Sequence, residues 1–170
     1  TLGNSSNAFL LLRAKNVGFN DNSVILLYFI YSVTASLLAI PLGKKSDKVG
    51  RKKLLVSGYV VFAVVYLGFA FAINQTVMVG MFILYGVYTA MIAGVERAFI
   101  AEISPFELRG TMLGLHATII GVALLPASLI AGTLWTYFGA SAPFMFGAGL
   151  SLSAACVLFV LMKNSINNEP

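Results

Sequence analysis

The chain has 170 residues, of which 59% are hydrophobic and only 10% charged, with a mean hydropathy of +0.90; this excludes a water-soluble domain and points to lipid as the solvent. The formal net charge of +5 would suggest a nucleic-acid partner in a soluble protein, but six of the basic residues crowd between Lys44 and Lys53 with apolar runs on both sides. A cytoplasmic loop obeying the positive-inside bias is expected instead, and nucleic acid is excluded as a partner. Cys156 is the sole cysteine, which excludes an intramolecular disulfide and a cysteine-based zinc site.

A helix needs about 20 apolar residues to cross the hydrocarbon core, so this length holds about six spans and no sizeable soluble domain. The first apolar run, Thr1 to Leu12, is short and interrupted by Asn4, Ser5, Ser6 and Asn7. It reads as a truncated span of a fragment, without the basic start and small-residue cleavage site of a signal peptide. The polar stretch Arg13 to Ser23 follows, with the loop former Gly18. Spans are then expected over 24–42, 54–73, 77–101, 111–137 and 143–162, joined by the basic loop Gly43 to Lys53, a turn at Asn74 and Gln75, the charged connection Glu102 to Gly110 and a turn around Phe138 to Pro143. The fourth span carries Glu96 and Arg97 near its far end, and the fifth is punctuated by Gly114, Gly121, Pro126 and Gly132, where small residues allow close helix contact and proline can kink. Residues 1–163 thus form one transmembrane helical unit, and 164–170 a polar, frayed tail. None of the runs alternates apolar and polar residues, so the fold class is all-α, a polytopic helix bundle.

Orientation follows from the basic residues. Lys44, Lys45, Lys48, Arg51, Lys52, Lys53, Arg109 and Lys163 fall on one side, Arg13 and Lys15 on the other. The richer side is expected in the cytoplasm, together with the C-terminus.

The loop Gly43 to Leu55 reads G-K-K-S-D-K-V-G-R-K-K-L-L. Its glycines permit a tight turn between two helices, and an acid among bases can cap a helix start or pair with an opposing charge. The string resembles the loop signature of the major facilitator superfamily, matching it at Gly43, Asp47, Lys48, Gly50, Arg51, Lys52 and Leu55, while Lys45 stands where leucine is usual. In the next connection on that side, A-E-I-S-P-F-E-L-R-G sets Glu102 and Arg109 with six residues between them, similar to the acid-then-arginine pattern of sugar-porter-like members. The resemblance implies that Arg51 pairs with such an acid and helps close an inner gate, with Glu102 and Arg109 in the same device.

The resemblance also implies one six-helix half of a twelve-helix secondary transporter, its first helix truncated. The polar tail and the run Gly121 to Trp135, followed by Gly139 and Pro143-Phe144, favour the C-terminal half. The partners implied are the N-terminal six-helix half of the same polypeptide, membrane lipid and a small-molecule substrate. The setting implied is a bacterial-type plasma membrane, and the mechanism alternating access around a cavity lined by the first, second, fourth and fifth helices of each half.

On those helices Asn4 and Asn7, Tyr28 and Tyr31, and Tyr85 and Tyr88 each stand three apart and share a face. Asn and Tyr both donate and accept hydrogen bonds, so such a lining suits an amphipathic solute, and efflux is the expected direction. Tyr28 also lies near the outer interface, where aromatic belts form. His116, about two turns into the fifth span, could titrate near neutral pH and couple protons. Glu96 and Arg97 lie about 30 Å along their helix, near the inner surface, where gate or interface pairing is expected. No Walker loop, metal cluster or paired carboxylates appear, so no cofactor, metal or catalytic chemistry is expected. The competing reading is a short six-helix membrane scaffold without transport of its own.

Overall fold

The computed structural model describes residues 7–167, with side chains through residue 160. Asn4 lies outside the described residues. The chain runs α1 (Asn7–Asn16), α2 (Asp21–Val49), α3 (Arg51–Phe71), α4 (Gln75–Ile103), a 3-10 turn (Phe106–Leu108), α5 (Arg109–Phe138) and α6 (Ala142–Asn167), with no strand among the described residues. Five of these helices, α2 to α6, are long and apolar enough to cross a membrane.

The helix ends follow local chemistry. Asn20 caps α2 by accepting from the Ser23 N–H at 2.9 Å, and Asn74 caps α4 through the Val77 N–H at 2.9 Å. Gly139 ends α5 at φ +89° and donates its N–H to the Trp135 carbonyl. Pro41 and Pro126 both sit inside continuous helices, each removing one backbone donor.

Two expectations about connections are corrected. The segment Gly43 to Lys53 is helical apart from a break at Gly50, which takes φ +97°. Gly43 therefore lies within α2 and makes no turn. Lysine is a good helix former, and beyond the lipid the helix continues into water at little cost. The polar tail likewise begins inside a helix, because α6 continues to Asn167.

Helix α4 packs mainly against α2 and α3, and α3 packs in turn on α6; α5 touches α4 and α6 more lightly. The centre is aromatic: Tyr66, Phe69, Phe82 and Phe144 are fully buried, with the Phe62 and Tyr66 rings 3.9 Å apart and Phe69 edge-on to Phe82 at 5.2 Å. In lipid there is no hydrophobic force between helices, so close packing and hydrogen bonds must hold them. Gly86 lets α4 come close to the backbone of α2, since a Cβ there would sit 2.8 Å from the Tyr31 carbonyl oxygen. Ser151 on α6 donates to the Tyr59 carbonyl of α3 at 2.8 Å.

At the end away from Gly50, Arg13 is buried and pairs with no carboxylate among the described residues. It donates to the carbonyls of Phe69 at 2.9 Å, Ala70 at 3.0 Å and Ala72 at 3.2 Å and to Asn16 Oδ1 at 2.8 Å. These are the C-terminal carbonyls of α3, which have no partner within their own helix. Ser141, in the turn before α6, adds a bond to the Ala70 carbonyl at 2.8 Å.

Candidate functional site

The first cluster forms around Arg51. The positive φ of Gly50, accessible to glycine at no steric cost, sets Arg51 at the start of α3 four residues after Asp47 at the end of α2. A cation at a helix N-terminus is unfavourable against the macrodipole, and Arg51, Lys52 and Lys53 all stand there with no side-chain cap. Anionic neighbours offset it. Arg51 Nη1 donates to Glu102 Oε2 at 2.8 Å and to the Ala98 carbonyl of α4 at 2.8 Å, while Nη2 reaches Asp47 Oδ1 at 3.2 Å. One guanidinium therefore ties α2, α3 and α4 together at one end of the bundle. Asp47 pairs with a charge and caps no helix.

The other loop residues do not join this cluster. Arg109 stands apart from Glu102, its guanidinium carbon lying 5.3 Å from the Phe106 ring centre. Lys48 is exposed, and Lys52 lies 6.0 Å from the Phe99 ring. Among the described residues Arg109 makes no ion pair with Glu102, and it follows directly on the 3-10 turn Phe106–Leu108.

The second feature is a cavity of about 930 Å³ reaching from α1 to α5. Asn7, Tyr31, Tyr85, Tyr88 and His116 all line it, so the structure gathers five candidate residues from four helices. Tyr85 donates to Asn7 Oδ1 at 3.0 Å and stacks on Tyr31 at 5.0 Å and on Tyr88 at 5.7 Å. Tyr28 is excluded: its ring packs 5.4 Å from Tyr31, but it is exposed and does not line the cavity.

Sequence reasoning missed Tyr59 and misplaced Glu96. Because α4 continues seven residues past Glu96 to Ile103, this carboxylate stands about 10 Å inside the helix end and lines the cavity. Tyr59 on α3 donates to Glu96 Oε1 at 3.0 Å, and His116 Nε2 on α5 lies 3.9 Å from Oε2. Glu96 thus sits with these two and makes no gate pair with Arg97, which lines the cavity from an exposed position. The costliness of charge within a span was the available signal for Glu96, but Tyr59 had none. Among the described residues no group of three or more His, Cys, Asp or Glu could hold a metal.

Five helices long and apolar enough to cross a membrane, a cavity lined by phenols, an amide and a carboxylate, and a charged clasp fit a membrane transport protein. The sequence pattern of the Major Facilitator Superfamily matches residues 1–169, and the chain belongs to that superfamily. It is 38% identical over 167 residues to an uncharacterised MFS-type transporter from Methanocaldococcus jannaschii, covering 95% of this chain and 42% of the relative. It is 30% identical over 161 residues to a homologue of a multidrug resistance efflux pump in Lactococcus lactis, covering 92% of this chain and 40% of the relative. A galactose–proton symporter of Escherichia coli is 31% identical over 106 residues, covering 62% of this chain and 23% of the symporter. The chain therefore spans about two fifths of the length of the first two relatives. It is an integral membrane protein of a transport family, not an enzyme.

Proposed function

We propose that this chain is the C-terminal six-helix half of a secondary active transporter that moves a small amphipathic solute by alternating access. The observation that carries the reading is the meeting of Asn7, Tyr31, Tyr85, Tyr88 and His116 around one cavity, with the Arg51 clasp a few turns away along α4. A cavity of this volume is within the range that holds drug-sized ligands, and its mixed phenol, amide and aliphatic lining suits a solute with one polar end. In this reading an N-terminal half of the same polypeptide completes the cavity, and the two halves rock about it. Arg51, Glu102 and Asp47 hold the state closed at the basic end, which faces the cytoplasm with the C-terminus; Gly50 is the hinge, and Lys48 and Lys52 meet the anionic lipid surface. Similarity to a multidrug efflux pump homologue supports outward movement of amphipathic compounds.

The test is one-sided access in the full-length protein. Thr89 lines the cavity, so Cys156→Ala is combined with Thr89→Cys, and an impermeant thiol reagent is applied from each side of inside-out and right-side-out vesicles. Labelling from one side at a time, shifted between sides by Arg51→Ala, is the expected result. Labelling from neither side, or a side preference indifferent to Arg51, refutes the mechanism. Thiol labelling at Lys48→Cys from outside the cell refutes the orientation.

A further inference from the structure

The turn between α4 and α5 leaves apolar side chains uncovered at the basic end of the bundle. Ile103, the last residue of α4, is 61% exposed, and Phe106 in the 3-10 turn is 79% exposed. The frame that carries them is fixed. Ser104 is buried and donates its hydroxyl to the Ile100 carbonyl at 2.6 Å, and the Leu108 N–H donates to the Pro105 carbonyl at 3.0 Å. In water a built turn that holds large apolar groups outward is a liability. Depth supplies the reason for it. The 29 residues of α4 rise about 43 Å, more than the hydrocarbon core and close to the thickness of a bilayer with its headgroups. A spanning α4 therefore sets Ile103 and Phe106 at the headgroup layer, where amphipathic and aromatic groups concentrate.

Charge completes this face. Both cation–ring contacts among the described residues lie here: Lys52 Nζ is 6.0 Å from the Phe99 ring centre, and the Arg109 guanidinium carbon is 5.3 Å from that of Phe106. Phe99 and Ile103, four apart on α4, share one side of the helix. Lys52 and Arg109 pair with no carboxylate among the described residues, whereas Arg51, next to Lys52, is already engaged by Asp47 and Glu102. Glu107, in the same turn, is exposed and offsets only one of these two free cations.

We infer that the face running from Phe99 to Arg109 is a binding surface for an anionic phospholipid, with Lys52 and Arg109 taking the phosphate charge and Phe99, Ile103 and Phe106 lying against the upper acyl chain. It lies outside the solute cavity and takes no part in the clasp. It rests on the orientation proposed above, and gives the basic end a lipid partner of defined chemistry. The pairing of each cation with an exposed or half-buried ring favours an amphiphile. Free phosphate would leave Ile103 and Phe106 in water, and a zwitterionic headgroup brings a cation of its own against Lys52 and Arg109.

The experiment reads a tryptophan placed in the face. Full-length Phe106→Trp protein is reconstituted in phosphatidylcholine bilayers with a minor fraction of phosphatidylglycerol, and its emission is compared with that of the same protein carrying Phe106. Acyl-brominated phosphatidylglycerol or, separately, acyl-brominated phosphatidylcholine serves as the quencher. Quenching of the added emission by both is expected, with phosphatidylglycerol preferred at least about fivefold, the contribution of one basic residue at an anionic surface. Lys52→Gln combined with Arg109→Gln should bring the preference to about one, and Lys52→Arg combined with Arg109→Lys should retain it, which separates loss of charge from loss of fold. High salt should weaken the preference, and added inorganic phosphate at constant ionic strength should not. No quenching by either lipid would show that the face is covered by protein or stands in water, and overturns the inference. Equal quenching by the two lipids, a preference that survives the double glutamine variant, or displacement by inorganic phosphate overturns it too. If the preference fails while Lys48→Cys is labelled only from the cytoplasmic side, the lipid surface alone is lost; labelling from outside removes the orientation and this surface together.

Discussion

Replacing Arg51 by alanine tests the clasp most directly, because a single side chain holds three helices. Its two ion pairs have half-exposed acids, with side-chain exposures of 64% for Asp47 and 59% for Glu102, so each contributes only about 0.5 kcal/mol after screening. The bond from Nη1 to the Ala98 carbonyl at 2.8 Å is charge-assisted and less exposed, contributing about 1 kcal/mol. The sum is about 2 kcal/mol, which shifts a two-state equilibrium about 30-fold. Arg51→Ala should therefore move the labelling preference at position 89 by about that factor toward the open basic end. Glu102→Gln should move it about 2-fold. Arg51→Lys should fall between them, since an ammonium lacks the planar fork that serves three acceptors. The ion-pair part should fade in high salt while the carbonyl part persists. Exchanging the charges, Arg51→Glu with Glu102→Arg, should restore part of the wild-type preference. Equal labelling in wild type and Arg51→Ala at low salt would refute this account of the clasp.

Three further outcomes follow from the packing. Gly86→Ala places a Cβ 2.8 Å from the Tyr31 carbonyl oxygen, which forces α2 and α4 apart and should destabilise the purified protein by about 1–3 kcal/mol in denaturant titration. Arg13→Ala orphans the carbonyls of Phe69 and Ala72, leaves that of Ala70 to Ser141 alone, and should lower the thermal midpoint by an amount corresponding to about 2–4 kcal/mol; an unchanged midpoint would show that water replaces the guanidinium freely. Tyr85→Phe removes the bond to Asn7 while keeping the ring stack, so solute affinity and fold stability should each change by no more than about 1 kcal/mol, measured by binding and by thermal unfolding.

The long helices were legible because uninterrupted apolar runs leave no other way to satisfy the backbone in lipid. Their ends were not, since hydropathy reports where lipid stops and not where hydrogen bonding stops. Helix α2 carries on through Lys44 to Val49 in water, and the expected loop shrinks to the one residue with positive φ, Gly50. Pairing of Arg51 with Glu102, 51 residues apart, came from the family resemblance; local periodicity holds nothing about it. The tyrosine pairs share faces as their spacing requires, yet spacing does not tell which way a face points: Tyr31 lines the cavity and Tyr28 does not. Tyr59 went unnoticed because α3 was not among the helices expected to line a cavity. It gets there because the small Gly58 lets α3 approach the Met91 and Ile92 side chains of α4 closely.

Both ends of α3 are fastened by arginine, but by different chemistry. At its start the Arg51 side chain is 29% exposed and bonded largely to carboxylates that ions in solution can replace. At its finish Arg13, 9% exposed, grips backbone oxygens that never change charge and lie beyond the reach of salt. One fastening can let go under conditions that leave the other untouched. Movement of this rod is therefore biased to be a swing from a fixed pivot at the Ala72 end, with the widest travel at Arg51.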